Sequence, residues 1–75
     1  MMTHTLTRID RQAQAIRELV RRVQAEYAEM PGLSVTLPQA QRLLAIDEPT
    51  CAAVFGALVK ERVLRRTVEG RYVRA

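Results

Sequence analysis

Apolar residues fall at Leu6, Ile9, Ala13, Ile16, Val20, Val23, Tyr27 and Met30, alternating steps of three and four. A helical turn of about 3.6 residues puts such positions on one stripe, so the spacing predicts a long amphipathic helix. Thr7 with Asp10 resembles a capping box, and Pro31-Gly32 interrupts the run, so helix 1 is expected over residues 8–29. The stripe also keeps a heptad register. Leu6, Ala13, Val20 and Tyr27 occupy one seam position, and Ile9, Ile16, Val23 and Met30 the other. Two uses follow: the helix packs along its own core, or its N-terminal half, with Leu6, Ile9, Ala13, Ile16 and Val20, projects beyond that core and pairs with a second copy.

Leu33-Ser34-Val35 suits a short strand at residues 33–35. Thr36-Leu37-Pro38-Gln39 is a capping box with proline in the first turn and opens helix 2 over residues 37–45. Leu37, Ala40, Leu43 and Leu44 supply its apolar face, and Gln39, Gln41 and Arg42 point to solvent. Asp47 caps helix 3, residues 48–61, with Glu48 and Pro49 in its first turn. Cys51, Val54, Phe55 and Leu58, with Val59 or Arg62, have the spacing of a buried face; Ala52, Ala53, Gly56, Ala57 and Lys60 lie on the other side. Residues 63–68 and 71–74 read as two β-arms around a two-residue Glu69-Gly70 turn, with arginines alternating against apolar positions so that one face packs and the other displays guanidinium groups.

Seventy-five residues bound this picture to one domain, residues 1–75, with one small core. A hydrophobic fraction of 48% beside 27% charge is that of a globular chain. Cys51 is the single cysteine, which excludes an internal disulfide and a cysteine metal cluster and points to a reducing, cytoplasmic setting. No signal-peptide pattern opens the chain and no apolar run is long enough to span a bilayer, so neither secretion nor a membrane role is expected. Eleven arginines against one lysine, beside many alanines, point to a GC-rich bacterial genome.

Charge is uneven. Residues 60–75 carry Lys60, Arg62, Arg65, Arg66, Arg71 and Arg74 against Glu61 and Glu69, so these sixteen residues hold +4, which equals the net charge of the whole chain. A polyanion is the natural partner of such a cluster, because neutralised phosphates release condensed counterions. A solvated, soluble hairpin is the plainer alternative.

Helix, short strand, helix, tight turn, helix and basic hairpin, above all Leu58-Val59-Lys60-Glu61-Arg62-Val63-Leu64-Arg65-Arg66 through Gly70-Arg71-Tyr72-Val73, resemble the winged helix-turn-helix family of small bacterial DNA-binding domains. The resemblance implies a mainly α chain with a small β-hairpin (α+β), helix 3 in the major groove, helix 2 across the backbone, and the hairpin as a wing on adjacent phosphates. Arg65, Arg66, Arg71 and Arg74 would then be wing contacts. Thr36, Gln39 and Arg42 would face the sugar-phosphate backbone, and Thr50, Ala53 and Lys60 would be the helix 3 positions nearest the duplex.

Helix 3 departs from that pattern where bases should be read. Bidentate readout needs Arg, Lys, Asn or Gln, and Ala52, Ala53, Gly56 and Ala57 offer at most methyl contacts. The chain is thus expected to be a DNA-binding regulatory or accessory protein of transcription, holding double-stranded DNA mainly through its wing as a homodimer. The alternative is a protein-interaction module of the same fold, such as a small phage or plasmid protein docking a host factor. Catalysis is not expected: His4 is the single histidine, and no phosphate loop, nucleophile pair or metal-ligand spacing occurs, so neither metal nor cofactor is expected.

Overall fold

A computed structural model of the chain describes the backbone of residues 8–75 and the side chains of residues 11–75. Three helices, α1 (Arg8–Glu29), α2 (Leu37–Leu44) and α3 (Glu48–Lys60), precede a two-stranded antiparallel hairpin, β1 (Leu64–Arg66) and β2 (Tyr72–Arg74). The class is mainly α with a small β-hairpin, and the described helix ends lie within one residue of those the pattern predicts.

α3 is the central element, against which α1, α2 and β1 all pack. Its inward face is Cys51, Val54, Phe55 and Leu58, each no more than 2% exposed, at steps of three, one and three. Val23 and Tyr27 of α1, Val35, Ala40 of α2, and Leu64 and Tyr72 of the hairpin complete the buried set. Removing Phe55 to alanine would cost about 3–5 kcal/mol. A core of this size supplies about the same, so this ring alone decides whether the chain folds.

Local chemistry sets the ends of the elements. Thr36 Oγ1 accepts from the Gln39 amide at 3.3 Å while Gln39 Oε1 accepts from the Thr36 amide at 2.9 Å, the reciprocal capping box expected for α2. Asp47 accepts the Thr50 amide at 2.9 Å and caps α3. α2 stops at Leu44 because Ala45 turns left-handed (φ 56°), which lets the Ile46 amide reach back to the Gln41 carbonyl at 3.2 Å. α3 ends in a Schellman turn: the Val63 amide donates to the Leu58 carbonyl at 2.9 Å and the Arg62 amide to the Val59 carbonyl at 3.0 Å, with Arg62 left-handed (φ 64°).

Four expectations need correction. The strand expected at 33–35 is a single bridge, Val35 to Tyr72, because the capping box begins one residue later and turns the chain away. The hairpin arms shorten to residues 64–66 and 72–74, and the loop is longer than the Glu69-Gly70 turn. Thr67 and Arg71 close it, with the Thr67 amide on the Arg71 carbonyl at 2.8 Å and the Gly70 amide on the Thr67 carbonyl at 2.9 Å. Val68, Glu69 and Gly70 therefore form a three-residue loop in which Gly70 (φ 83°) takes the left-handed bulge position. Leu43, assigned to the apolar face of α2, is 64% exposed, and Met30, assigned to the α1 seam, is 51% exposed; Leu33 packs against the core just beyond the Pro-Gly break.

α1 uses only part of its stripe for this core. Val23 and Tyr27 are buried, Ile16, Leu19 and Val20 are half-buried against them, and Arg11 through Ala15 are exposed. A helix of 22 residues is about 33 Å long, so its first turns run past the body it packs on. Leu6, the Ile9 side chain and the Thr7–Asp10 cap lie outside the described residues. No helix among the described residues is long and apolar enough to cross a membrane.

Candidate functional site

Two buried hairpin residues, Leu64 and Tyr72, anchor the basic hairpin in the core, and Tyr72 makes the hydrogen bonds. Its ring meets Phe55 edge-on at 5.2 Å and 68°, its carbonyl accepts the Tyr27 hydroxyl at 2.6 Å and the Val35 amide at 3.3 Å, and its amide donates to the Val35 carbonyl at 2.7 Å. The hairpin is therefore tied to α1, α3 and the 33–36 connection at once.

Strand register then places the arginines. Leu64 pairs with Arg74, Arg65 with Val73, and Arg66 with Tyr72. Directly opposed residues share a face, so Arg66 and Arg74 lie on the same side as buried Leu64 and Tyr72, at its margins, and Arg65 shares the other side with half-buried Val73. This corrects the expected split into one packing face and one arginine face: a three-residue arm is too short for the core to claim a whole face. Arg66 folds back over the loop, with its Nη2 3.6 Å from where a Cβ on Gly70 would stand. Arg71 donates from Nη1 to the Ser34 carbonyl at 3.4 Å, and its amide donates to Thr67 Oγ1 at 3.1 Å. Arg65, Arg66, Arg71 and Arg74 are all exposed, but they form a band around the hairpin rather than a plane.

Arg71 thereby stands beside the start of α2. Ser34, Val35, Gln39, Arg42 and Leu43 line one shallow depression, so the hairpin base and the expected backbone-facing residues of α2 adjoin. Thr36 and Gln39 spend one oxygen each on the capping box; the threonine hydroxyl proton and the glutamine amide protons remain as donors.

The outward face of α3 has little polar chemistry. Ala52, Ala53, Gly56 and Lys60 are exposed, Ala57 is half-buried, and nothing lies within 4 Å of where a Cβ on Gly56 would stand. Thr50 is half-buried and committed to Asp47, whose carboxyl is pulled below its ordinary pKa by hydrogen bonds from the Thr50 side chain and amide. That leaves Lys60 as the unburied polar group at the far end of the helix.

Two features were not assigned from the pattern. Arg62, offered as a candidate for the buried face of helix 3, is exposed and left-handed at the helix–hairpin junction, and Val59 packs inward instead. A periodic pattern identifies faces, not which residue leaves the helical conformation. An apolar cleft of about 220 Å³ opens between α1 and α2, with Val23, Tyr27, Val35 and Phe55 in its floor and exposed Met30 and Leu43 at its edge. The Cys51 thiol is fully buried, as the helix 3 spacing predicts; its pKa is raised by that burial, and its Sγ lies 3.8 Å from the Leu37 carbonyl. No group of three His, Cys, Asp or Glu side chains among the described residues is placed to hold a metal.

No family model matches the chain, and no solved structure matches it. A stretch of 60 residues, 80% of this chain, is 42% identical to part of histidinol-phosphate aminotransferase 1 of Burkholderia lata. The chain spans about a sixth of that protein, 16% of its length.

Proposed function

We propose that this chain is a DNA-binding regulatory or accessory protein of winged helix-turn-helix type, cytoplasmic and not catalytic, that holds duplex through its basic hairpin as a homodimer. In this reading α3 lies toward the major groove, α2 crosses the backbone with Thr36, Gln39 and Arg42, and Arg65, Arg66, Arg71 and Arg74 reach phosphates. The observation that supports it best is an exposed arginine band carried on a hairpin that Tyr72 fastens to the core. Base readout is weak because Ala52, Ala53 and Gly56 face outward without donors or acceptors.

A salt series against a random-sequence duplex tests this. Four phosphate contacts imply that log affinity falls with log salt at a slope at least as steep as about −3.6. A slope near zero, or no binding at low salt, would falsify the mechanism.

A second reading is a protein-docking module in which the small outward face of α3 receives a partner helix. The open space over Gly56 supports it, since a glycine in mid-helix costs about 1 kcal/mol against alanine and finds no reason for itself inside the chain. Changing Arg65 and Arg66 together to alanine separates the two: loss of activity in the cell favours duplex binding, and retained partner capture favours docking.

A further inference from the structure

α3 ends where an L-residue is unfavoured. The Schellman turn needs a left-handed residue between Glu61 and Val63, and a side chain there crowds its own backbone, which is why glycine commonly takes this position. Gly70 (φ 83°) fits that preference; Ala45 (φ 56°), which ends α2, and Arg62 (φ 64°), which ends α3, do not, and of these two only Arg62 carries a charge.

Arg62 does not recover the cost by packing. The side chains that close the turn are buried Leu58 and half-buried Val63, while Arg62 is exposed. A cation near a helix C-terminus does interact favourably with the last carbonyls, but Lys60 already stands in the final turn. A strained residue kept at the surface, beside a cluster of like charge, is the pattern left when stability is given up for binding.

We infer that Arg62 is a phosphate-contacting residue of the duplex-binding surface, held at the junction of α3 and β1 by its left-handed backbone. Arg62 is exposed and stands in sequence between exposed Lys60 and Glu61 at the helix end and exposed Arg65 and Arg66 on the first hairpin arm. The inference rests on the DNA-binding reading above and adds a fifth arginine to it. The wild-type salt slope then steepens to about −4.5.

The test uses the full chain as wild type, Arg62→Gly, Arg62→Lys and Ala45→Gly, each melted and each titrated with the same random duplex across a salt series. Arg62→Gly should raise Tm by about 4–8 °C. It should also make the slope shallower by about 0.9 and weaken binding about tenfold at 0.05 M salt relative to 1 M. Arg62→Lys keeps charge and strain, and should match wild type in slope and Tm. Ala45→Gly relieves the other left-handed residue and should raise Tm without changing affinity, which separates stability from binding. Wild-type affinity and slope in Arg62→Gly overturn the inference and leave the DNA-binding reading standing. A lower Tm in Arg62→Gly makes the arginine a helix-end charge and also overturns it. Absence of duplex binding by the wild type overturns both.

Discussion

The hydroxyl of Tyr27 donates to the carbonyl of Tyr72 at 2.6 Å, across 45 residues of sequence. The same carbonyl takes the Val35 amide and the Tyr72 ring leans on Phe55, so this pair joins the second hairpin strand to α1. Replacing Tyr27 with Phe keeps the ring and removes the donor. Loss of one buried hydrogen bond costs about 1 kcal/mol, and Tm should fall by about 4–8 °C in thermal denaturation. An unchanged Tm would mean that the Val35 amide alone satisfies the carbonyl.

The same phenol gives a pH dependence. Burial raises the Tyr27 pKa from 10.0 to about 12, so the folded state holds this proton more tightly than the unfolded state does. Its contribution is complete below pH 10 and is lost as pH rises from 10 to about 12. Wild-type Tm should therefore drop more steeply across that window than the Tm of Tyr27→Phe, and tyrosinate absorbance should show one phenol ionising late.

Gly56→Ala meets nothing within 4 Å and adds a good helix former in mid-helix. Stability should rise by about 0.5–1 kcal/mol, read as a higher denaturation midpoint with unchanged slope. If duplex binding is retained while capture of a protein partner is lost, the outward face of α3 is a docking surface.

Cys51 is 0% exposed and its thiol is held protonated by burial, so a thiol reagent should label it only through opening of the core. Labelling should be slow in buffer and fast in denaturant. Fast labelling in buffer would show that α2 and α3 separate far more often than this packing allows.

Two of the five residues expected to pair, Ile16 and Val20, lean on the chain's own core. Pairing through α1 must then draw on residues before Ile16, where Ala13 is exposed. Light scattering should give a dimer for the full chain and a monomer for a chain starting near Ala15. Equal monomeric masses for both, at tens of micromolar protein, would remove the homodimer from the proposed function.

The candidate site was legible in unequal parts. Arg65, Arg66, Arg71 and Arg74 are named by charge alone, because a run of +4 in sixteen residues needs no coordinates to be seen. Their distribution was not: strict alternation predicts one arginine face, and the register puts Arg66 and Arg74 beside Leu64 and Tyr72 instead. Thr50 looked available from its type, yet it is half-buried at the start of α3, where its amide donates to the Asp47 carboxylate at 2.9 Å. Arg62 looked like a possible core position because helical spacing continues through it, whereas the chain leaves the helix one residue earlier.

Sequence alone determined what local chemistry controls. Helix limits follow from Pro31-Gly32, the Thr36–Gln39 box and the Asp47 cap, and the buried face of α3 follows from the spacing of Cys51, Val54, Phe55 and Leu58. These depend on neighbours within a turn or two, where a residue's type restricts the backbone directly. Tertiary structure alone decided that Val35 contributes a bridge rather than a strand, that Leu43 and Met30 border an open cleft, and that Tyr27 and Tyr72 join α1 to the hairpin. Each of those depends on contacts between residues far apart in sequence, and such contacts exist only once the core has chosen which apolar groups it can enclose.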